Sequence, residues 1–336
     1  MRHPARFAAS RLNALTRPPY RNALVIVGIA ATMAGLFAAS YSLALGRATP
    51  HHIVVGLVGR PAPWAALLAA LERATDGGLS FRHYGSAAAA KDAIDQQTTY
   101  AALILHPGRP TLLVSSASGA SVAHVLEQAA ATVMQRTSRL LRVVDLHPLP
   151  PADPQGLVSF YVTLAASIVG FATMFQFRAN ATGISFRGWL ASIAALAVTV
   201  GLVLALVADP IIGALRGPFP ELWLAFGAEV AIAALVCSTM ITLIGRWAII
   251  PTWLLFVVLG NTSAGGAVAQ PLLPQPYAFV GRFLPPGATV GIVRSAVYFR
   301  EHQRLDPFVV EAAWLVCSLA ALLISVRLLK RGPATQ

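Results

Sequence analysis

The chain has 336 residues, of which 56% are hydrophobic and only 11% are charged. This composition supplies too little polar surface for an ordinary soluble protein, so the sequence predicts a polytopic α-helical membrane protein. The formal net charge of +12 does not indicate nucleic-acid binding, because much of the excess arginine flanks apolar segments, where it sets topology and attracts anionic lipid.

Residues 1–22 are a basic segment without acidic residues, which the positive-inside tendency places in the cytoplasm. Apolar residues recur at helical spacing from Ala5 to Thr16 and predict an amphipathic helix in the membrane interface, which ends before Pro18. A disordered basic tail is the alternative.

Residues 23–46 carry no charge and predict the first transmembrane helix, because the segment is long enough to cross about 30 Å of hydrocarbon. A cleaved signal peptide is the alternative, but its apolar region would be shorter, roughly 7 to 15 residues. Gly28 and Gly35 in this helix, and Gly201 in a later one, would let other helices approach closely.

Residues 47–156 are richer in charge, and their apolar positions switch between the periods of strands and helices. Helices are predicted around Trp64–Leu71, from a cap at Ser86 to Gln97, and around Val122–Val133. Alternating strands and helices predict a small extracytoplasmic α/β domain with a partly parallel sheet, inserted between helices 1 and 2. The predicted strands are His52–Val58, Leu79–Tyr84, Tyr100–His106, Thr111–Ser116 and Arg142–Leu146.

No motif in the chain indicates an enzyme, a cofactor or a metal site. The only two lysines, Lys91 and Lys330, do not follow a phosphate-binding glycine loop, and neither HExxH nor GxSxG occurs. Six histidines fall in the predicted α/β domain, but none stands at i, i+3 or i+4 from another on one predicted helix, so a metal site is disfavoured. Cys237 and Cys317 lie in predicted spans and form no disulfide framework.

Residues 157–329 predict a five-helix membrane domain, so that the chain has six transmembrane helices, and residues 330–336 form a cytoplasmic tail. The positive-inside tendency places both termini of this cell-membrane protein in the cytoplasm. If the fifth helix only dips into the membrane, the chain has five spans and its C-terminus lies outside. The predicted helices are Leu157–Phe175, Trp189–Ala208, Leu222–Ile244, a fifth from Ala248, and Phe308–Val326.

The fifth apolar run breaks at Gly260–Gly266 after about twelve residues, and several prolines follow up to Gly287. Irregular backbone is tolerated at membrane depth only where protein buries it or a water-filled cavity receives it, so residues 260–290 predict a re-entrant region. The substrate-path candidates here are Asn261, Thr262, Ser263, Gly265 and Gly266, and a static turn is the alternative.

Two acidic residues fall inside predicted membrane helices. Glu229 lies about seven residues into the fourth predicted helix, where an ionised carboxylate facing lipid would be costly, so it should face protein. It is a candidate substrate contact or proton acceptor, and a neutral or paired acid that holds helices together is the alternative. Glu311 lies near the outer end of the sixth helix, where it can reach the interface, so a structural role is favoured over a functional one.

The stretch GNTSAGGAVAQPLLPQPYAFVGRFLPPGATVGIVRSAVYF resembles the region before the last helix in type-2 ABC transporter permeases of actinobacteria, including their phage-infection-protein-like branch. The plan of one helix, an extracytoplasmic insert and five helices is one that this branch uses. The resemblance implies the permease subunit of an exporter, which works as a homodimer or heterodimer among membrane lipids. A separate cytoplasmic ATPase would contact the loop with Arg178, an exposed Phe186 and Arg187.

Two other classes of function stay open from the sequence. A membrane-anchored surface or envelope protein with a receptor-like outer domain needs no ATPase. A proton-coupled carrier would depend on Glu229. An ATPase that accompanies the chain would favour the permease over both.

Overall fold

The computed structural model describes residues 20–46, 49–137, 141–181 and 183–331. The interfacial helix predicted at Ala5–Thr16 lies outside the described residues, as do residues 332–336 of the tail predicted at 330–336, whose first two residues are helical. Five segments are helical, long and apolar enough to cross a membrane, as in a multi-pass membrane protein. They are Tyr20–Leu45, Val158–Asn180, Phe186–Ile211, Phe219–Asn261 and Asp306–Leu329.

The helices and strands follow one another with short connections. The helices are α1 (Tyr20–Leu45), α2 (Ala65–Ala74), α3 (Ala87–Asp95), α4 (Ala120–Thr137), α5 (Val158–Asn180), α6 (Phe186–Leu206), α7 (Phe219–Ile244), α8 (Ile249–Trp253), α9 (Gln275–Val280), α10 (Pro285–Tyr298) and α11 (Asp306–Arg331). The strands are β1 (Ile53–Val58), β2 (Leu79–Tyr84), β3 (Ala101–Ile104), β4 (Thr111–Val114) and β5 (Arg142–Asp145).

The five strands form one sheet in the order β2-β1-β3-β4-β5. All neighbouring pairs are parallel except β3 and β4, which are antiparallel. Helices α2 and α4 cover one face of the sheet and α3 covers the other. Each strand lies within a stretch where the sequence predicts one, and Ser86 caps α3 by accepting a hydrogen bond from the backbone N–H of Ala89.

Helix α7 is the central element of the bundle. Within Phe219–Asn261, the segment that contains α7, 78% of an 18-residue apolar stretch is buried inside the protein. The corresponding share for α1 is 6%. Helices α5 and α6 reach α7 at glycines: a Cβ on Gly170 would lie 2.6 Å from the Val230 carbonyl oxygen, and one on Gly201 would lie 2.7 Å from the Gly227 Cα. By contrast, no atom of the described residues lies within 4 Å of a Cβ built on Gly28 or Gly35, so these glycines of α1 face open space within this chain.

The segment Phe219–Asn261 reverses direction in the middle. Its 43 residues would make a straight helix about 65 Å long, which is twice the thickness of the hydrocarbon core. Gly245 adopts a φ of 61°, which interrupts the helix and suits glycine. After this turn the chain forms a 3₁₀ turn, α8 and a π-helix at Leu254–Asn261, and Phe256 packs into the same apolar cluster as Ile232 of α7.

A hairpin made of α9 and α10 enters the bundle and returns to the end where it began. At the start of the hairpin, Ala269 and Leu272 belong to the hydrophobic core of the sheet. In the middle, the carbonyl of Phe283 accepts a 2.7 Å hydrogen bond from the Trp314 indole, about eight residues into α11. At its end, Ser295 accepts a hydrogen bond from Gln97, which again belongs to the sheet region. We call this end of the bundle the sheet end.

Candidate functional site

Two glutamates meet inside the bundle below the sheet end. Glu229 on α7 is fully buried, and Glu311 on α11 is only 4% exposed. Thr289 on α10 joins them, because its Oγ1 lies 3.0 Å from Glu229 Oε2 and 3.2 Å from Glu311 Oε2. The Ser167 hydroxyl of α5 donates to Glu229 Oε1. We call these four residues the carboxylate cluster.

Hydrogen-bond donors are scarce in the carboxylate cluster. Thr289 has one proton but three acceptors in reach, since the Pro285 carbonyl lies 3.2 Å away, and Ser167 divides its proton between Glu229 and the Thr163 carbonyl. A carboxyl that keeps its proton can donate to Thr289, which then donates to the other carboxylate. The relay Ser167–Glu229–Thr289–Glu311 is therefore complete when the two glutamates hold one proton between them.

No cation neutralises the carboxylate cluster within the described residues. The ion pairs among the described residues are Asp95 with His147 and Asp306 with Arg304. Neither pair includes Glu229 or Glu311, so neither buried glutamate has a basic partner among those residues. Two buried, unpaired carboxylates would lose several kcal/mol of solvation each, roughly, and would repel one another. The cluster is therefore built to hold a proton or to receive a positive charge.

Glu311 also lines a cleft of about 270 Å³ between α7 and α11. Glu311 Oε1 is buried and has no hydrogen-bond partner within the described residues. The sequence predicts that Glu311 can reach the interface, and this is wrong, because α10 packs over it and brings Thr289 to its carboxylate. The other lining residues are apolar except for Glu221: Leu224, Ala225, Ala228, Ile292, Phe308, Ala312 and Leu315.

The polar residues of the predicted break turn toward α1 or their own helix, and not toward Glu229. Asn261 donates a 2.8 Å hydrogen bond to the Tyr41 hydroxyl, and its Oδ1 is buried without a partner in the described structure. Thr262 and Ser263 both donate to carbonyls one turn earlier, and Ser40 lies 3.4 Å from the Thr262 hydroxyl. The break thus anchors α1, which otherwise makes few contacts with the bundle.

Gly265 and Gly266 shape the turn that follows the π-helix. Gly265 has a φ of 76°, and its carbonyl accepts a 2.8 Å hydrogen bond from the Arg294 guanidinium of α10. A Cβ on Gly266 would lie 3.0 Å from the Cβ of Phe160 and 3.4 Å from Val290. Both glycines therefore hold the turn against α10, the helix that carries Thr289.

The junction between the sheet and the hairpin is closely packed. The Ser121 hydroxyl accepts a 2.9 Å hydrogen bond from the Ala269 N–H, and a Cβ on Gly119 would lie 2.8 Å from the Cβ of Ala269. Burial raises the pKa of the Tyr100 phenol in this junction, and the positive charge of Arg294 opposes the rise. The phenol therefore stays neutral at physiological pH.

The three residues predicted to contact an ATPase lie at the end of the bundle away from the sheet. Arg178 and Arg187 are exposed, but both sit in helices, since α5 continues to Asn180 and α6 begins at Phe186. The prediction of an exposed Phe186 in a loop is wrong, because this side chain is half-buried against the cluster that contains Phe171.

Sequence reasoning selected Glu229 but missed its partners. The structure brings Glu229 together with Ser167, Thr289 and Glu311, and it keeps Asn261 and Thr262 at a separate contact with α1. The polar residues Ser167 and Thr289 lie within otherwise apolar helices, which is a signal that could have marked them.

Comparisons of the chain with protein-family models, curated proteins and solved structures find no match.

Proposed function

We propose that the chain is the transmembrane permease subunit of an ABC-type exporter in the cell membrane. The observation that supports this most is the course of residues 260–298, which carry the resemblance to such permeases. They do not form a surface loop, because α10 packs between α5, α7 and α11 and contributes Thr289 to the carboxylate cluster. A segment that shapes the interior of the bundle suits a translocation path.

The proposed subunit crosses the membrane six times. The reversal at Gly245 divides Phe219–Asn261 into two crossings, because α7 with its 26 residues is long enough to span alone and the 16 residues after Gly245 are only slightly short of a span. With the N-terminus in the cytoplasm, the sheet then lies outside the cell, and the ends of α5 and α6 near Arg178 and Arg187 face the cytoplasm. Two such subunits, identical or related, would enclose the path.

The ATPase must be a separate protein, since the sequence has no phosphate-binding loop. The exposed residues Arg178, Arg187 and Arg246 present positive charge at the proposed cytoplasmic end. We expect the double substitution Arg178→Glu plus Arg187→Glu to release an ATPase that copurifies in mild detergent and to stop transport. Both residues are changed because one exposed ion pair contributes only about 0 to 1 kcal/mol.

Mass spectrometry of the purified complexes measures the release, and the matched control is Arg60→Glu plus Arg82→Glu. These arginines are also exposed, but Arg82 lies on β2 of the sheet and Arg60 in the connection that follows β1. The control should keep the ATPase, and both variants should elute as folded protein in gel filtration. Equal ATPase recovery in the two variants would show that the ends of α5 and α6 are not the docking site.

A proton-coupled carrier is the second candidate, and the carboxylate cluster favours it, because its hydrogen bonds are complete with one shared proton and no basic side chain of the described residues pairs with it. Reconstitution separates the two candidates. A permease in liposomes needs its ATPase and ATP, whereas a carrier moves substrate with a proton gradient alone. Transport by the purified chain without a second protein would therefore replace the exporter proposal with the carrier.

A further inference from the structure

The cleft between α7 and α11 has the shape and charge of a binding site. Its lining residues recur at i, i+3, i+4 and i+7 on both helices, so each helix presents one continuous strip to the cleft. On α7 the strip is Glu221, Leu224, Ala225 and Ala228, and on α11 it is Phe308, Glu311, Ala312 and Leu315. The cleft opens sideways, since Leu224 is 69% exposed.

The polar groups of the cleft are both acidic. Glu221 lies at the sheet end and already accepts a 3.0 Å hydrogen bond from the Gln303 amide. Glu311 lies about one turn deeper, 4% exposed, and its Oε1 has no partner in the described structure. No basic side chain of the described residues lines the cleft, so an anionic group would meet repulsion and no donor there.

The buried oxygen Glu311 Oε1, which has no hydrogen-bond partner in the described structure, indicates which chemical group a ligand of the cleft should carry. An unpaired buried acceptor costs about 1–3 kcal/mol, and more when it is charged, so a donor that reaches Glu311 Oε1 recovers this loss. With the cluster's proton on Glu229, Thr289 donates to Glu311 Oε2 and leaves one negative charge at the floor of the cleft. A positively charged donor satisfies both the hydrogen bond and the charge.

We propose that this cleft binds a cationic amphiphile, an apolar body that carries a protonated amine. The ammonium group donates to Glu311 Oε1, and the apolar body packs against Leu224, Ala228 and Leu315. At about 270 Å³ the cleft is slightly smaller than the pockets that enclose whole drug-sized ligands, so part of the body stays in the surrounding lipid. The binding site itself does not depend on the exporter function. Only the further statement that this amphiphile is the class of exported substrate rests on that proposed function.

The test uses the purified full-length chain in mild detergent, with decylamine and decanol as matched probes that share one apolar tail. Decylamine below its micellar concentration should raise the melting temperature of the chain, because a ligand that binds only the folded state stabilises it. Decanol should produce little shift. Equal shifts with both probes would show that the cleft takes any alkyl chain, such as that of a lipid, and would overturn the proposal.

Variants locate the bound amine. Glu311→Gln keeps the shape of the cleft and should weaken decylamine binding roughly tenfold to a hundredfold, because a hydrogen bond to a charged group is lost. Glu301→Gln is the control, since Glu301 is an exposed acid outside the cleft lining and should bind like the unaltered chain. Unchanged affinity in Glu311→Gln, or an equal loss in Glu301→Gln, would contradict the assignment.

A second variant tests the same site independently, in case Glu311→Gln does not fold. Ala312 is exposed and lines the cleft, so Ala312→Trp fills the cleft without overpacking the bundle and should also abolish the decylamine shift. Retained binding in Ala312→Trp would place the amine elsewhere and overturn the proposal. Binding that behaves as expected, together with no ATP-driven transport of amines, would leave the site intact and refute only the assignment of the amine as the exported substrate.

Discussion

At the scale of single residues, the turn at Gly265 depends on two features that only glycine satisfies easily. Its φ of 76° is a conformation that costs other residues about 1–3 kcal/mol. A Cβ there would also lie 3.2 Å from the Gln270 side chain. The Arg294 hydrogen bond to its carbonyl then couples the turn to α10.

We expect Gly265→Leu to abolish ATP-driven transport while the chain still inserts into the membrane and accumulates normally. The reason is that the added side chain displaces the turn and pulls its carbonyl from Arg294, while the other helices are untouched. Transport by the reconstituted subunit with its ATPase measures the loss, and the yield of monodisperse protein measures insertion.

Gly77→Leu is the control for backbone strain, since Gly77 has a φ of 74° and a Cβ built on it would have no atom of the described chain within 4 Å. It should lose a similar amount of stability but keep transport. If Gly265→Leu transports as well as Gly77→Leu, the turn is a tolerant loop and has no part in the path.

The burial of one of the two glutamates could be predicted from its position in the sequence, and the burial of the other could not. Glu229 stands ten residues into an apolar helix, and its burial follows from its position. Glu311 stands only five residues into α11, where the interface is within reach, and it is buried because α10 folds back over it. That packing depends on the course of the hairpin, which local hydrophobic patterning does not encode.

At the scale of secondary-structure elements, the crossing of α6 and α7 requires two glycines in contact. We expect Gly201→Leu to destabilise the bundle, because its Cβ would lie 2.7 Å from the Gly227 backbone, which cannot move aside as a side chain can. Overpacking of this kind costs about 1–3 kcal/mol or more. Thermal unfolding in detergent should show a lower melting temperature.

Gly28→Leu on α1 is the matched control, since a Cβ built on Gly28 has no atom of the described residues within 4 Å. Its melting temperature should stay near that of the unaltered chain. Equal melting temperatures for the two variants would mean that α6 and α7 do not pack through Gly201.

Most of the elements could be predicted from the sequence, and their arrangement could not. The strands are short apolar runs between turn residues, so β1 to β5 lie where patterning predicts them. The strand order depends on contacts between residues far apart in the sequence, whereas β3 and β4 are joined by only six residues and pair locally. The segment after Gly245 was predicted as a fifth helix, but it is a 3₁₀ turn, α8 and a π-helix, because Pro251 and Gly260 weaken a regular helix.

At the scale of the whole molecule, the sidedness of the bundle is the property that the function needs. We expect a cysteine at the exposed position Lys91 to react with an impermeant maleimide added to intact spheroplasts. A cysteine at the exposed position Asn180 should react only after permeabilisation, because the sheet and the end of α5 lie on opposite sides in the six-crossing arrangement.

Both cysteines are placed in a Cys317→Ala background, since Cys317 is exposed on α11, and its removal leaves the buried Cys237 as the one native thiol. A mass shift on gels after labelling reports each reaction. The reverse pattern would invert the chain, and reaction of both sites in intact spheroplasts would exclude the six-crossing arrangement.

The sheet has no complete core of its own, since Ala269 and Leu272, more than a hundred residues further along the chain, belong to it. Recombination could consequently not exchange residues 49–156 between related chains as an independent unit, because part of their hydrophobic core would stay behind. A foreign sheet would meet the resident hairpin with mismatched side chains at Gly119 and Ser121. Sheet and hairpin must therefore be inherited together, and substitutions in one constrain those that the other can accept.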